Sequence, residues 1–344
     1  MNEAVRAFCN VDEWHAAGYT GKGQKIGVVD KIGECIDPAD FTGYSIVVPV
    51  IGKEAVKAGT KSGHLYRVLH SILSFAPDVE IHLLGGSPTE YLQYMIENDI
   101  DIFSKSTTAS WYNATNNAQE SRILSVGNVL ITPTGNVSDG GLIGLARKET
   151  FISIGAARLV NGRPVAELYS CYDENKSCVD ALFFSNLEIP DGEGGVITTG
   201  SGTSFSAPAF AGLLACWRQR FNEHNGRKPT TAETNQFFAN NCARISVADY
   251  DNQSGYGVFR LPAISNPERE DEPEREYSLL TVRVGSARGD LDGKPYALDA
   301  APEISNGRVM LGMRDAVRAV GGDVLSWDNV TKTAVFKLPR KESP

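Results

Sequence analysis

No stretch of eighteen consecutive apolar residues occurs in the 344-residue chain, so the sequence offers no membrane-spanning helix. Basic residues are too few to build a nucleic-acid face. Lys and Arg number 33 against 42 Asp and Glu, a formal net charge of −9, whereas a basic patch is the footprint of such a partner. Cysteine is sparse, six residues with none beyond Cys242, which excludes a small disulfide-stapled scaffold and leaves most as free thiols. Cys171 and Cys178 flank a polar loop and could reach each other, though sequence does not establish bridge geometry. No second Cys/His pair stands at metal-ligand spacing beside them, so a zinc site is not indicated. Histidine is scarcer still, with five residues, most of which must be structural. The first residues, Met1–Cys9, lack the charged start and long apolar centre of a secretion signal. The expectation is a cytoplasmic protein, or a secreted one if a leader has been removed.

What is present is ordinary globular composition, 42% apolar and 22% charged, at a length that suggests two domains. Short β-branched runs alternate with helical patterns. Lys25–Val29, Val79–Leu84, Ile100–Ser104, Val129–Thr132 and Phe151–Ala157 read as strands; Leu65–Phe75, Thr89–Asn98, Asn117–Leu124 and a segment from Ser204 to Arg220 read as helices. This alternation predicts an α/β fold with a parallel sheet. Residues 170–195 are loop-rich, acidic and unassigned. The stretch 266–276 is highly charged, holds two prolines and no apolar residue, and reads as a linker. The chain therefore divides into 1–265, the linker 266–276, and a small α+β domain at 277–344, with strands at Leu279–Val284, Lys294–Leu298, Val324–Asp328 and Thr333–Leu338 and a helix at Met313–Val320. Arg288-Gly289-Asp290 reads as a turn.

The most informative stretch is Gly202-Thr203-Ser204-Phe205-Ser206-Ala207-Pro208, running into the small apolar segment Ala209–Ala215. It places a hydroxyl at the start of a helix, where free N–H groups face any adjacent negative charge. Read alone, such a serine is more commonly a helix N-cap followed by proline in the first turn. Three further positions shift that balance. Asp30 ends the strand Lys25–Val29, His64 follows Gly63 at the head of a helix, and Asn136 follows Gly135 after the strand Val129–Thr132.

Over residues 12–262 the chain resembles the subtilisin-like serine proteases. The order Asp, His, Ser and the Gly-Thr-Ser motif with proline four residues beyond the serine carry the match, and Val11–Asp30 is similar to the family's approach to its aspartate strand. The resemblance implies a doubly wound parallel sheet flanked by helices. It also implies a catalytic triad of Asp30, His64 and Ser204, with Asn136 as oxyanion donor. Ser104, Ser106, Thr108 and Gly135 are the substrate-binding positions it suggests, because the family lays its peptide along a strand edge there. It requires no metal or cofactor; relatives carry structural calcium, but no acidic loop here stands out to hold one. The partner it implies is a peptide or protein substrate.

Departures surround these positions. Leu65-Tyr66-Arg67 follow His64 where the family has glycine, threonine and a second histidine, which predicts a crowded groove beside the imidazole. Lys31-Ile32 follow Asp30 in place of a small polar residue and glycine, and Thr108 replaces a usual glycine. Twenty-nine residues precede Asp30, so the family's inhibitory propeptide is expected to be removed or unused. The expected activity is a serine endopeptidase of narrow range. The alternatives are a catalytically silent peptide-binding or scaffolding domain and a hydrolase of small esters. Asn306-Gly307-Arg308, Gly321-Gly322-Asp323-Val324 and Trp327-Asp328 resemble the copper amine oxidase N-terminal-like module. No histidine follows Leu261, so copper chemistry is not implied, and docking or assembly is the expected role.

Overall fold

The computed structural model describes residues 2–31, 33–58, 63–107, 111–137, 141–174, 178–246 and 250–264 throughout, and within 277–339 the backbone of the strands alone. The expected linker 266–276, the expected helix 313–320 and Thr108 lie outside the described residues. The chain forms two compact units, Met1–Ile264 and Ser265–Pro344.

The first unit opens with two short helices, α1 (Glu3–Phe8) and α2 (Val11–Ala16). Strands β1 (Lys25–Val29), β2 (Ser45–Val47), β3 (Glu80–Leu83), β4 (Ile102–Lys105), β5 (Val129–Pro133) and β6 (Ile152–Val160) follow, with β7 (Arg163–Ala166) folding back on β6. The acidic stretch left unassigned contributes β8 (Ala181–Phe184) and β9 (Glu188–Pro190), which pairs with β10 (Val196–Thr198) just beyond it; β11 (Cys242–Ala243) and β12 (Val258–Phe259) complete the unit. The main sheet runs β11-β12-β8-β6-β5-β4-β1-β3-β2 and is parallel from β12 to β2. Its central strands are buried along their whole length, as near-continuous Val/Ile/Leu runs require when helices cover both faces.

Helices α3 (His64–Leu73) and α6 (Thr203–Asn225) belong to the larger apolar cluster, with Val68, Leu69, Phe210 and Leu213. Helix α4 (Pro88–Asn98) sends Tyr91, Leu92 and Met95, and α5 (Ala114–Ser125) sends Ile123, into a second cluster with Phe103 and Leu130 of the sheet. Ser87 caps α4 through a capping box with Glu90, and Thr230 caps α7 (Thr231–Asn240) the same way with Glu233, each satisfying otherwise orphaned donors.

Topology sets where chemistry can sit. After β1 the chain adds β2 and β3 on one side and then β4 and β5 on the other. The carboxyl end of β1 is therefore a topological switch point, where crossovers diverge and leave a crevice.

The two helices that start at this edge meet backbone to backbone. A Cβ on Gly212 of α6 would stand 2.5 Å from the Ile72 carbonyl oxygen of α3, so only glycine permits the approach. Ile72 lies eight residues beyond His64, and Gly212 eight beyond Ser204. One close crossing thus fixes the level of both helix N-termini.

In the second unit β13 (Tyr277–Arg283), β14 (Arg288–Leu291), β15 (Lys294–Ala297), β18 (Asp323–Asp328) and β19 (Thr333–Pro339) form an antiparallel sheet in the order β15-β14-β13-β19-β18, beside a ribbon of β16 (Ile304–Ser305) and β17 (Arg308–Val309). Arg288-Gly289-Asp290, read as a turn, lies instead within β14 and pairs with both neighbours. Ladder pairing on two sides outweighs the turn preference of Gly-Asp.

Two predictions follow from this packing. Gly212→Ala forces α3 and α6 apart and costs about 1–3 kcal/mol, measured by denaturant unfolding. His70 of α3 is 3% exposed, stacks on Phe41, and burial pushes its pKa from 6.5 down to about 4. The unfolded imidazole takes up a proton below about pH 6.5 while the folded one resists until about 4, so stability falls as pH drops through that window. About 2 kcal/mol of acid sensitivity between pH 7 and 4.5 disappears in His70→Phe.

Candidate active site

Five chain segments end or begin at the carboxyl edge of the sheet beside the switch point. Asp30 leaves β1, Ser106 leaves β4, Gly135 and Asn136 leave β5, His64 opens α3, and Ser204 is the second residue of α6. Asp30, Ser106, Gly135, Asn136 and Ser204 line one cavity of about 840 Å³.

The Asp30 side chain is 2% exposed, and both of its oxygens lie 2.8 Å from His64 Nδ1. Oδ1 also accepts the Lys31 N–H at 2.8 Å. A carboxylate against Nδ1 assigns the proton to that nitrogen and leaves Nε2 as the basic atom of the ring. Gly63 has no side chain to cap α3, so the carboxylate Oε2 of Glu34 receives the His64 N–H at 2.9 Å. An acidic group there also suits the positive end of the helix. The imidazole rests against Phe205, ring centroids 5.0 Å apart. Among the described residues no hydrogen bond within 3.5 Å joins His64 to the Ser204 hydroxyl.

Around Ser204 the backbone is held from three sides. Ser106 Oγ donates to the Ser204 carbonyl at 2.9 Å. Thr203, 1% exposed, donates both its N–H and its hydroxyl to Asn136 Oδ1 at 2.9 Å each, while its Oγ1 accepts the Gly135 N–H at 3.2 Å. Because donors claim Oδ1, the amide orientation of Asn136 is determined, and its NH₂ group remains to donate elsewhere. Asn136 itself is exposed. Gly135 has φ +115°, and a Cβ there would stand 2.6 Å from Ile143 Cγ1 and 2.9 Å from Cys171 Sγ, so the loop that aims Asn136 requires glycine. Cys171 Sγ accepts the Val137 N–H at 3.2 Å, and no disulfide joins Cys171 to Cys178.

Of the residues expected at substrate, Gly135 lies at the cavity wall, whereas Ser104 is 0% and Ser106 1% exposed. Ser104 is enclosed in the sheet opposite Val28, and the Ser106 hydroxyl is spent on Ser204. Ser106 nevertheless lines the cavity with Gly135. The expected crowding beside the imidazole also takes another form. Leu65 alone of the three bulky residues reaches the cavity; Tyr66 is buried with its hydroxyl on the Pro190 carbonyl at 3.0 Å, and Arg67 donates to the Thr199 carbonyl at 3.3 Å. The latter two brace the hairpin and the approach to Ser204. Sequence reading missed Thr203, whose signal was its place between Gly202 and Ser204, and Glu34, for which a residue thirty positions upstream in a loop gave no signal.

Several solved proteases share this fold. The chain superposes on the prenylagaramide maturation protease PagA with a TM-score of 0.56 at 18% identity, covering 73% of this chain and 95% of that one. A lanthipeptide protease gives a TM-score of 0.58 at 15% identity, covering 75% and 92%. The protease domain of PatA, solved as a serine-to-alanine mutant, gives 0.56 at 16% identity, covering 70% and 94%. The fold is accordingly the subtilisin-like one. Residues 290–343 match the copper amine oxidase N-terminal domain. No curated protein sequence matches the chain.

Proposed function

We propose that the protein is a serine endopeptidase working through an acyl-enzyme on Ser204. The observation that carries the reading is the buried Asp30 carboxylate on His64 Nδ1, at the same sheet edge as Ser204 in the first turn of α6 and the anchored Asn136 amide. His64 Nε2 takes the Ser204 proton as Oγ attacks the peptide carbonyl carbon, and the Asn136 amide and the Ser204 N–H donate to the oxygen as it becomes negative. The imidazolium then gives its proton to the leaving amine. Water, deprotonated by the same nitrogen, releases the acid and restores the serine.

A narrow substrate range fits the cleft. The 3-10 turn Val50–Ala55 packs onto the end of β3, where a Cβ on Gly52 would stand 1.9 Å from the Leu83 carbonyl oxygen, and Ile51, Gly52 and Lys53 wall the cavity. The likeness to a prenylagaramide maturation protease agrees with a peptide precursor as substrate. One observation favours a silent peptide-binding domain instead, namely the unformed hydrogen bond from His64 to Ser204. Catalytic hydrogen bonds are often loose without substrate and tighten when it binds, so the endopeptidase reading stands ahead.

The test is labelling by a fluorophosphonate. The folded protein takes one label, and Ser204→Ala takes none. Asp30→Asn slows peptide cleavage about 10⁴-fold and Asn136→Ala about 10²- to 10³-fold. A folded protein that takes no label contradicts the enzyme and leaves the binding domain.

A further inference from the structure

One short segment holds His64 twice. Asp30 binds the imidazole at Nδ1, and Glu34, four residues further along the chain, accepts the backbone N–H of the same histidine on Oε2 at 2.9 Å. The chain reverses between the two carboxylates. The Glu34 N–H donates to the Lys31 carbonyl at 3.2 Å, and Gly33 has φ +87°, a conformation that glycine adopts without strain. Beyond Glu34 the segment is tied down at the buried Ile36, whose N–H donates to the Ala55 carbonyl at 2.9 Å and whose carbonyl accepts the Lys57 N–H at 2.9 Å. Glu34 is therefore carried on backbone that is fixed on both sides.

His64 is the first residue of α3, so its N–H finds no carbonyl within the helix and the first turn frays unless something receives it. Gly63 offers no side chain for this, and the space one would fill is taken: a Cβ on Gly63 would stand 3.0 Å from Glu34 Oε2. A bare cap position and a carboxylate reaching in from another segment are two halves of one device. With the main-chain nitrogen held by Glu34 and Nδ1 by Asp30, the ring has little freedom left in where it directs Nε2.

We propose that Glu34 is a positioning residue, which fixes the backbone from which the imidazole hangs and so sets where Nε2 stands relative to Ser204. The inference deepens the peptidase reading and rests on it for the effect on rate alone. A base displaced by a fraction of an ångström loses rate while the surface that binds the peptide stays in place. Glu34 also lines the cavity, so direct contact with the peptide is the competing role, and that role acts on KM.

Three variants of the full chain separate these roles. Glu34→Gln keeps an oxygen acceptor for the His64 N–H, Glu34→Ala removes it, and Glu34→Met fills the space without an acceptor and stands in should Glu34→Ala not fold. On a peptide that the protein cleaves, the variants without an acceptor lower kcat about 10- to 100-fold with KM unchanged, and Glu34→Gln stays within about threefold of the parent. Independently of turnover, the low-field proton NMR resonance of the His64 Nδ1–H held by Asp30 shifts or broadens in the variants without an acceptor and keeps its place in Glu34→Gln. The proposal is overturned if the variants without an acceptor retain the parent's kcat and resonance, if Glu34→Gln fails as badly as they do, or if the loss falls on KM. A protein that cleaves no peptide yet shows this resonance pattern loses the peptidase reading and keeps Glu34 as the residue that orients His64. A protein that cleaves peptides with rate and resonance indifferent to Glu34 loses only this inference.

Discussion

The close crossing of α3 and α6 is the constraint on which the site depends. Both helices run back from the carboxyl edge of the sheet, and each begins with a functional group, His64 on one and Ser204 on the other. Two helices carrying side chains at their contact normally stand 8–10 Å apart. Here Gly212 allows the α6 backbone to press on the Ile72 carbonyl, and the equal offset from crossing to helix start brings the two N-termini to one level. The remaining elements adjust what this crossing sets. The ends of β1 and β5 deliver Asp30 and Asn136 to the same edge because all parallel strands of such a sheet point their carboxyl ends one way.

Within the site, most interactions hold groups still rather than create reactivity directly. Thr203 claims the Asn136 oxygen, Ser106 claims the Ser204 carbonyl, and Glu34 claims the His64 N–H. Each satisfies a polar group that would be costly to leave unmatched near a cleft partly shielded from water. The outcome is an amide oxygen, a helix start and an imidazole each held by named partners at the carboxyl edge of the sheet.

Much of this was readable from residue order. Short β-branched runs gave the parallel strands, and Asp30, His64, Asn136 and Ser204 were singled out from local context and family likeness. What escaped depended on partners distant in sequence. The three residues after His64 looked like obstacles because side-chain direction on a helix is not visible without its neighbours; Tyr66 and Arg67 turned out to bind Pro190 and Thr199. Ser104 was expected at a strand edge, but β4 lies between β1 and β5 and Ser104 sits within it, 0% exposed. The loop-rich, acidic stretch 170–195 was left unassigned, yet Ala181–Phe184 within it is a fully buried strand.

The most direct measurement of the central claim is a crystal structure of the protein with a peptidyl boronate. The account predicts boron bonded to Ser204 Oγ, one boronate oxygen within hydrogen-bond distance of Asn136 Nδ2, and His64 Nε2 brought within such distance of the adduct while Asp30 still holds Nδ1. A boronate that leaves Ser204 unmodified, or an adduct whose oxygens reach neither Asn136 nor His64, would contradict it.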